Sequence, residues 1–512
     1  MTCALIEGHE ALYLANTIMS LREVFINKTQ HEETKRCYPA RIAGAACLDL
    51  KGYGVYTMGI ERIVAEHVCH ASFKDVPPSA LEVIKNQVLA VLGTTIAGAL
   101  EEGCEAVVKA ARDIGGKPEA SILIHGGKVP AQQAAFVNGV MARALDFCDA
   151  LIPGAHVGSA AIPAALAAAE LAGGGSGKDF LTAVAVGTDL AVRLNLGESE
   201  YDGFDPTGVC VVFASTAAAS KMLGLSETET WNALALAFNR CGGSFQSNVD
   251  GALAVRVIEG WVAETGVTCA RLAKHGITGP VSFLEGVYGY FHLFGRDRVS
   301  ADKVLSGLGT TYDLGSLVFK KYPSCGATQG STHVILDLMR EKSFQAGDIE
   351  RVDISVPPYV FKLVGHPFHI GANPKVNAQF SIRYCVANAL VRKAASLFHF
   401  EEAAIRDSAV LTVVEKIQVI PDEALESRGH TALDMRVVTK DGKKYSRKME
   451  IAPGFPGNPL TKEEHLQRFR DCTRFTARPL AQAVAEKIIG TVDRLDDMDD
   501  IRELVDLMSE RI

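Results

Sequence analysis

No Cys-x-x-Cys pair occurs among the twelve cysteines of this 512-residue chain, and no run of lysine or arginine interrupts it. Each absence removes a class of protein. Scattered thiols, several inside apolar runs (Cys210, Cys269, Cys385), exclude a zinc ribbon or a disulfide scaffold and fit small buried side chains in a reducing compartment. A formal net charge of −8 lacks the basic footprint of a nucleic-acid binder. The longest apolar stretch, Val157 to Leu171, is mostly alanine and contains Pro163 and Glu170, too short and too weakly hydrophobic for a membrane span. The first twenty residues carry Glu7, His9 and Glu10 without a basic n-region, so a secretory signal is not expected and a cytoplasmic location is.

Familiar catalytic signatures are missing too. His-Glu-x-x-His, Gly-x-Ser-x-Gly and a dinucleotide fingerprint do not occur in a supporting context. Gly173-Gly-Gly-Ser-Gly-Lys178 falls short of a phosphate loop, because Ala172 and Asp179 stand where glycine and Ser/Thr are required. It reads as an interhelical turn. There is no internal repeat.

What is present is an ordinary folded composition, 48% hydrophobic and 22% charged, in a chain long enough for two or more domains. Residues 1–57 lack clean periodicity and are expected to be an extension, or a translation-start artefact, with Met58 opening the functional unit. Residues 58–316 read as an all-helical domain rich in alanine, with capping boxes at Ser79/Glu82 and Ser226/Glu229. Residues 317–452 read as a smaller α+β domain. Strands are expected at Ile349–Val356 and Leu411–Ile420, a hairpin around Lys440-Asp441-Gly442-Lys443, and helices at Gly330–Arg340 and Phe380–Ala395. After Pro-Gly-Asn-Pro, Thr461 and Glu464 cap a return to helix, so residues 453–512 are expected to pack back on the first domain.

The most informative stretch runs from Ala144 to Ala160, Ala-Leu-Asp-Phe-Cys-Asp-Ala-Leu-Ile-Pro-Gly-Ala-His-Val-Gly-Ser-Ala. Asp146 and Asp149 lie three apart, a spacing that puts them on one helix face, and His156 follows a Pro-Gly break. Titratable groups in an apolar junction have perturbed pKa values, which is how acid–base sites are made. The plainer alternative has Asp149 capping a helix, Asp146 pairing with a nearby arginine and His156 satisfied in the core.

Four further segments follow in order: Gly203-Phe-Asp-Pro-Thr-Gly-Val209, Gln246–Gly251 leading to Val255–Trp261, Phe319-Lys-Lys-Tyr-Pro-Ser-Cys325, and Ala378-Gln-Phe-Ser-Ile-Arg-Tyr384. With the first segment they resemble the MmgE/PrpD family, which includes 2-methylcitrate dehydratase, cis-aconitate decarboxylase and iminodisuccinate epimerase. The resemblance covers roughly residue 60 to the end. It implies a mainly α fold, with a large helical domain, an inserted α+β lid domain and the substrate between them. It also implies a homodimer, a small carboxylate substrate, and neither metal nor organic cofactor.

Carried over by position, the resemblance makes His156 the general acid or base and Lys320 the charge stabiliser, with Tyr384 and Asp146 in support. Asp149, Asp205, Gln246, Arg256, Lys321 and Arg383 are the accompanying substrate-binding candidates. The implied chemistry is proton transfer alpha to a carboxylate by a lyase or isomerase. Alternatives are an iminodisuccinate-type epimerase or a non-catalytic carboxylate binder. Against the family pattern, Ile152, Asp205 and Ile258 replace histidines, Ala150 a threonine and Val255 a lysine. A tricarboxylate would lose charge-assisted bonds worth roughly 1.5–3 kcal/mol each, and Asp205 leans toward an amine or imine group.

Overall fold

The computed structural model describes residues 59–476 and 480–509. The expectations for residues 1–57 lie outside the described residues. The chain is mainly α-helical. Its principal helices before the first long strand are α1 (Ile60–His70), α2 (Pro78–Gly98), α3 (Cys104–Ile114), α4 (Ala131–Arg143), α5 (Gly158–Ala172), α6 (Gly177–Leu194), α7 (Val212–Met222), α8 (Glu227–Phe238), α9 (Ala254–Lys274) and α10 (Gln329–Lys342). Alanine and glycine let these helices approach closely, and α4, α5, α7 and α9 pack on one another in the first core. Helix α2 has the length and composition of a membrane span, yet 72% of its most apolar window is buried inside this core.

Two glycines set the packing of α9 on α4. A Cβ at Gly139 would sit 3.1 Å from the Glu259 carbonyl, and one at Gly260 would sit 2.7 Å from the Phe136 carbonyl. Backbone cannot yield as a side-chain tip can, so Gly260→Ala is expected to cost about 1–3 kcal/mol, read as a lower urea midpoint with an unchanged slope.

The second core gathers Cys325 to Val437 around one four-stranded sheet. Strands β5 (Ile349–Val356), β6 (Ile417–Pro421), β7 (Leu433–Thr439) and β8 (Lys444–Met449) are ordered β6-β5-β7-β8. Strand β5 runs parallel to β6 (Val352 opposite Ile417) and antiparallel to β7 (Val352 opposite Val437). The β7–β8 hairpin turns at Asp441-Gly442, with Gly442 at φ +81°. Helices α11 (Pro358–Val364) and α12 (Ile382–Arg392) pack on β6, α13 (Ser408–Val414) packs on α12, and α14 (Lys462–Arg474), α15 (Gln482–Asp493) and α16 (Arg502–Ser509) return to the first core.

Several local expectations change. Ser79 does not cap α2: the helix already begins at Pro78, whose fixed φ suits the first helical position. Ser226/Glu229 and Thr461/Glu464 do form capping boxes, as does Ser176/Asp179 in the glycine-rich turn. Of the strand expected over 411–420 only residues 417–420 are extended, within the observed Ile417–Pro421. Asp407 caps the preceding residues into α13, which buries Val410, Val413 and Val414. The first region is not purely helical either. It holds the short ladder of β1 (Ala120–Ser121) with β2 (Lys128–Val129), and β3 (Asp149–Ala150). Strand β3 pairs antiparallel with β4 (Val318–Phe319), Asp149 opposite Phe319 and Ala150 opposite Val318.

Candidate active site

The β3–β4 ladder sets the geometry of the candidate site, because it lays the 144–156 loop beside Lys320 across 174 positions of sequence. Helix α4 ends at Arg143, so Asp146 and Asp149 do not share a helix face as their spacing suggests. Asp146 instead adopts a left-handed turn, φ +51°, a conformation aspartate tolerates better than most side chains. That turn points its carboxylate at three groups. Oδ1 lies 2.8 Å from Arg143 Nη1, 2.8 Å from Lys320 Nζ and 3.6 Å from His156 Nε2. Lys320 Nζ also donates to the Asp146 carbonyl at 2.7 Å. Burial alone would raise the Asp146 pKa, but the Lys320 and Arg143 charges outweigh it and hold the carboxyl at about 2.

His156 closes a short loop in which Leu151 and Ala155 exchange both backbone hydrogen bonds. Its Nδ1 lies 2.9 Å from the Asp149 carbonyl, an acceptor only, so Nδ1 carries the proton and Nε2 presents a lone pair toward Asp146 and the cavity. Burial, reinforced by Arg143 and Lys320, pushes the imidazole pKa well below its ordinary value, leaving a neutral ring. The His156 backbone N–H donates to Thr207 Oγ1 at 3.1 Å.

Thr207 opens a π-helical turn, Thr207–Val211, that runs into α7. Asp205 Oδ1 accepts its N–H at 2.9 Å, and Asn248 approaches the other oxygen at 3.5 Å. A Cβ at Gly208 would lie 1.7 Å from the Gly242 carbonyl, so this segment can press against 242–243 only because glycine stands there. Burial raises the Asp205 pKa.

These groups line one cavity of about 280 Å³ at the seam between the two cores. Arg143, Asp146, His156, Asp205, Thr207, Glu259 and Lys320 form its polar wall. Leu151, Ile152, Val318, Val360, Leu363 and Phe380 are among its apolar lining, with Tyr359, His430 and Thr431 toward the sheet. A small cavity with few convergent polar groups and perturbed titrations fits a small-molecule site. Among the described residues, no three His, Cys, Asp or Glu side chains are arranged to hold a metal ion.

Asp146, His156, Lys320 and Asp205 thus meet in one place; the other candidates stand elsewhere. Asp149 is buried beside the cavity, accepting from Gln87 at 2.8 Å and from the Gly158 N–H at the start of α5, the capping role of the plainer alternative. Tyr384 packs between Phe368 and Phe400 and donates to the His399 carbonyl. Arg256 bonds the Glu102 carbonyl, Gln246 bonds Asp250, Lys321 pairs with Glu464 and Arg383 bonds the Ile417 carbonyl.

Two charged residues that line the cavity, Arg143 and Glu259, were not picked out by their sequence context. Arg143 had a legible signal, lying three positions before Asp146. Glu259 is wholly buried on α9, neither oxygen has a well-formed hydrogen bond, and Arg143 Nε comes only to 3.6 Å.

Sequence comparisons find relatives of this chain. The MmgE/PrpD N-terminal domain model matches residues 62–301 and the C-terminal domain model residues 322–495. Human cis-aconitate decarboxylase is 27% identical over 400 residues, covering 74% of this chain and 80% of its own. The cis-aconitate decarboxylase-like protein oryM of Aspergillus oryzae is 25% identical over 460 residues, 85% and 94% of the two chains. Cis-aconitate decarboxylase of Aspergillus terreus is 25% identical over 480 residues, 86% and 96%.

Proposed function

The chain belongs to the MmgE/PrpD family, and from that premise we propose that it is a lyase or isomerase that moves a proton alpha to a carboxylate of a small organic acid, without an organic or metal cofactor. The geometry that carries this reading is His156 on the cavity wall, its Nδ1 2.9 Å from the Asp149 carbonyl and its Nε2 3.6 Å from Asp146 Oδ1, beside the buried Lys320. A neutral imidazole in an apolar junction is a base ready at neutral pH. Negative charge passing from carbon to the substrate carboxylate would be met by Lys320 and Arg143, fixed in advance by Asp146. In this reading the sheet-bearing core is a lid over the helical one, and its Tyr359, Leu363 and Phe380 exclude water from the reacting carbon.

The cavity argues against the tricarboxylate named for the relatives as the physiological substrate here. Asp146 offsets one of the two charges of Arg143 and Lys320, and Asp205 and Glu259 add carboxyl groups where a polyanion would want donors. Asp205 favours a second reading, an iminodisuccinate-type epimerase whose substrate nitrogen would meet that carboxyl.

Proton NMR in D2O with 2-methylcitrate, citrate, citramalate, cis-aconitate and iminodisuccinate tests the chemistry. Deuterium is expected beside a carboxylate of one of them, and the product formed distinguishes dehydration, decarboxylation and epimerisation. Lys320→Met is expected to lower that exchange about 10²- to 10³-fold. Exchange by this variant at the wild-type rate would remove Lys320 from the reaction.

A further inference from the structure

One acidic group buried against the cavity, Glu259, is not used by the chemistry above. Glu259 sits on α9 with zero exposure, and neither carboxyl oxygen has a well-formed hydrogen bond. Arg143 Nε, also without a hydrogen-bond partner, lies 3.6 Å away. Glycine at 139 and 260 lets α9 press closely on α4, and Glu259 on α9 is one of the residues that line the cavity. A buried polar group left unpaired is costly, and natural sequences seldom keep one at the centre of a site without use.

We propose that Glu259 is the proton donor of this site, handing a proton to the leaving hydroxyl of a 3-hydroxycarboxylate while His156 Nε2 takes the proton beside the carboxylate. The proposal rests on the proton-transfer reading above and deepens it toward dehydration. Two titratable groups in one cavity are pushed in opposite directions, which is how acid and base are assigned at a single pH. Burial drives the Glu259 carboxyl well above the usual range, against the Arg143 charge and the Thr207 hydroxyl and with help from Asp205 and Asp149. His156 is driven the other way. Arg143, ion-paired to Asp146 at 2.8 Å, links the two halves.

The balance closes. The C–H electron pair passes to the substrate carboxylate as an enediolate while His156 becomes an imidazolium. As that pair returns to form the C=C bond, the C–O bond breaks and the hydroxyl leaves as water with the Glu259 proton. The imidazolium then loses one proton to solvent and the Glu259 carboxylate gains one. No oxidant or further reactant enters.

Infrared spectroscopy of the full chain at pH 7 is the first arm of the test. A protonated-carboxyl C=O band is expected, absent in Glu259→Gln and shifted when citramalate or 2-methylcitrate is added. The second arm is NMR in D2O with the same two acids. Glu259→Gln keeps the shape and the His156 base, so deuterium exchange beside the carboxylate should persist while elimination falls at least about 100-fold. Glu259→Asp, a shorter acid, should recover part of the elimination and replaces the glutamine variant should that fail to fold by circular dichroism. An ionised Glu259 at pH 7, a band unmoved by either acid, or elimination by Glu259→Gln at the wild-type rate would each overturn the proposal. Wild-type protein that exchanges no proton beside the carboxylate would sink the proton-transfer reading and the proposal with it, whereas undiminished elimination by Glu259→Gln would sink the Glu259 assignment alone.

Discussion

His156→Gln is expected to lower proton exchange beside the substrate carboxylate by about 10²- to 10⁴-fold, the range a positioned general base supplies. Glutamine keeps a polar group of similar reach but offers no lone pair of comparable basicity. The wild-type pH profile should carry the same signature. An unperturbed imidazole would impose an acid limb near pH 6.5; here that limb is expected well below it, because burial, Arg143 and Lys320 all disfavour the charged ring. The stability effect has a defined sign. His156 binds its proton more weakly folded than unfolded, so its contribution is complete above about pH 6.5 and declines as pH falls toward the folded pKa. Thermal melts of wild type and His156→Gln from pH 7 to 5 check this: the variant should lose less stability. Equal loss in both would mean that other groups set the acid sensitivity.

Asp146→Ala is expected to cost about 3–5 kcal/mol of stability together with most of the activity. Its carboxylate offsets two cations that are themselves buried, and removing one member of such a cluster leaves the others uncompensated. The substitution also removes an aspartate from a left-handed turn that alanine adopts reluctantly. The direction with pH again follows from the shift. Asp146 is held at about 2, below its ordinary 3.8, so its contribution is full above 3.8 and is lost as pH falls through 2. Urea titrations of wild type and Asp146→Ala at pH 7 measure the cost. Asp146→Ala combined with Lys320→Met should recover part of it, because the second change removes one of the orphaned cations. A double variant no more stable than Asp146→Ala would contradict the ion-pair account.

How far the sequence was legible depended on whether the signal was local. The Asp441-Gly442 hairpin and the Ser226 and Thr461 caps follow from adjacent residues and appear where expected, and the helix expected over 380–395 forms over the shorter Ile382–Arg392. Asp146 and His156 were legible as a pair because a break in an alanine-rich pattern frames them. Glu259 was not, since one glutamate on an amphipathic helix looks like a solvated position until α4 is known to press against it. Arg256, three positions earlier on the same helix, pairs with Glu101 instead. Lys320 and Lys321 are neighbours, yet one is buried against Asp146 and the other reaches Glu464. Spacing gives the phase of a side chain; its partner is set by whatever the distant chain brings, as β4 does for Lys320.

The loop that carries Asp146 is also held from the far end of the chain. Arg468, on α14, donates to the Phe147 carbonyl at 2.7 Å and lies 4.5 Å over the Phe147 ring. During translation, then, a ribosome that has delivered the whole alanine-rich bundle has produced neither Lys320 nor this clamp. Contacts of such sequence separation form late. A nascent chain that has reached only the helical portion carries His156 without Lys320 and Arg468, so the candidate site is assembled only after residue 468 has been made.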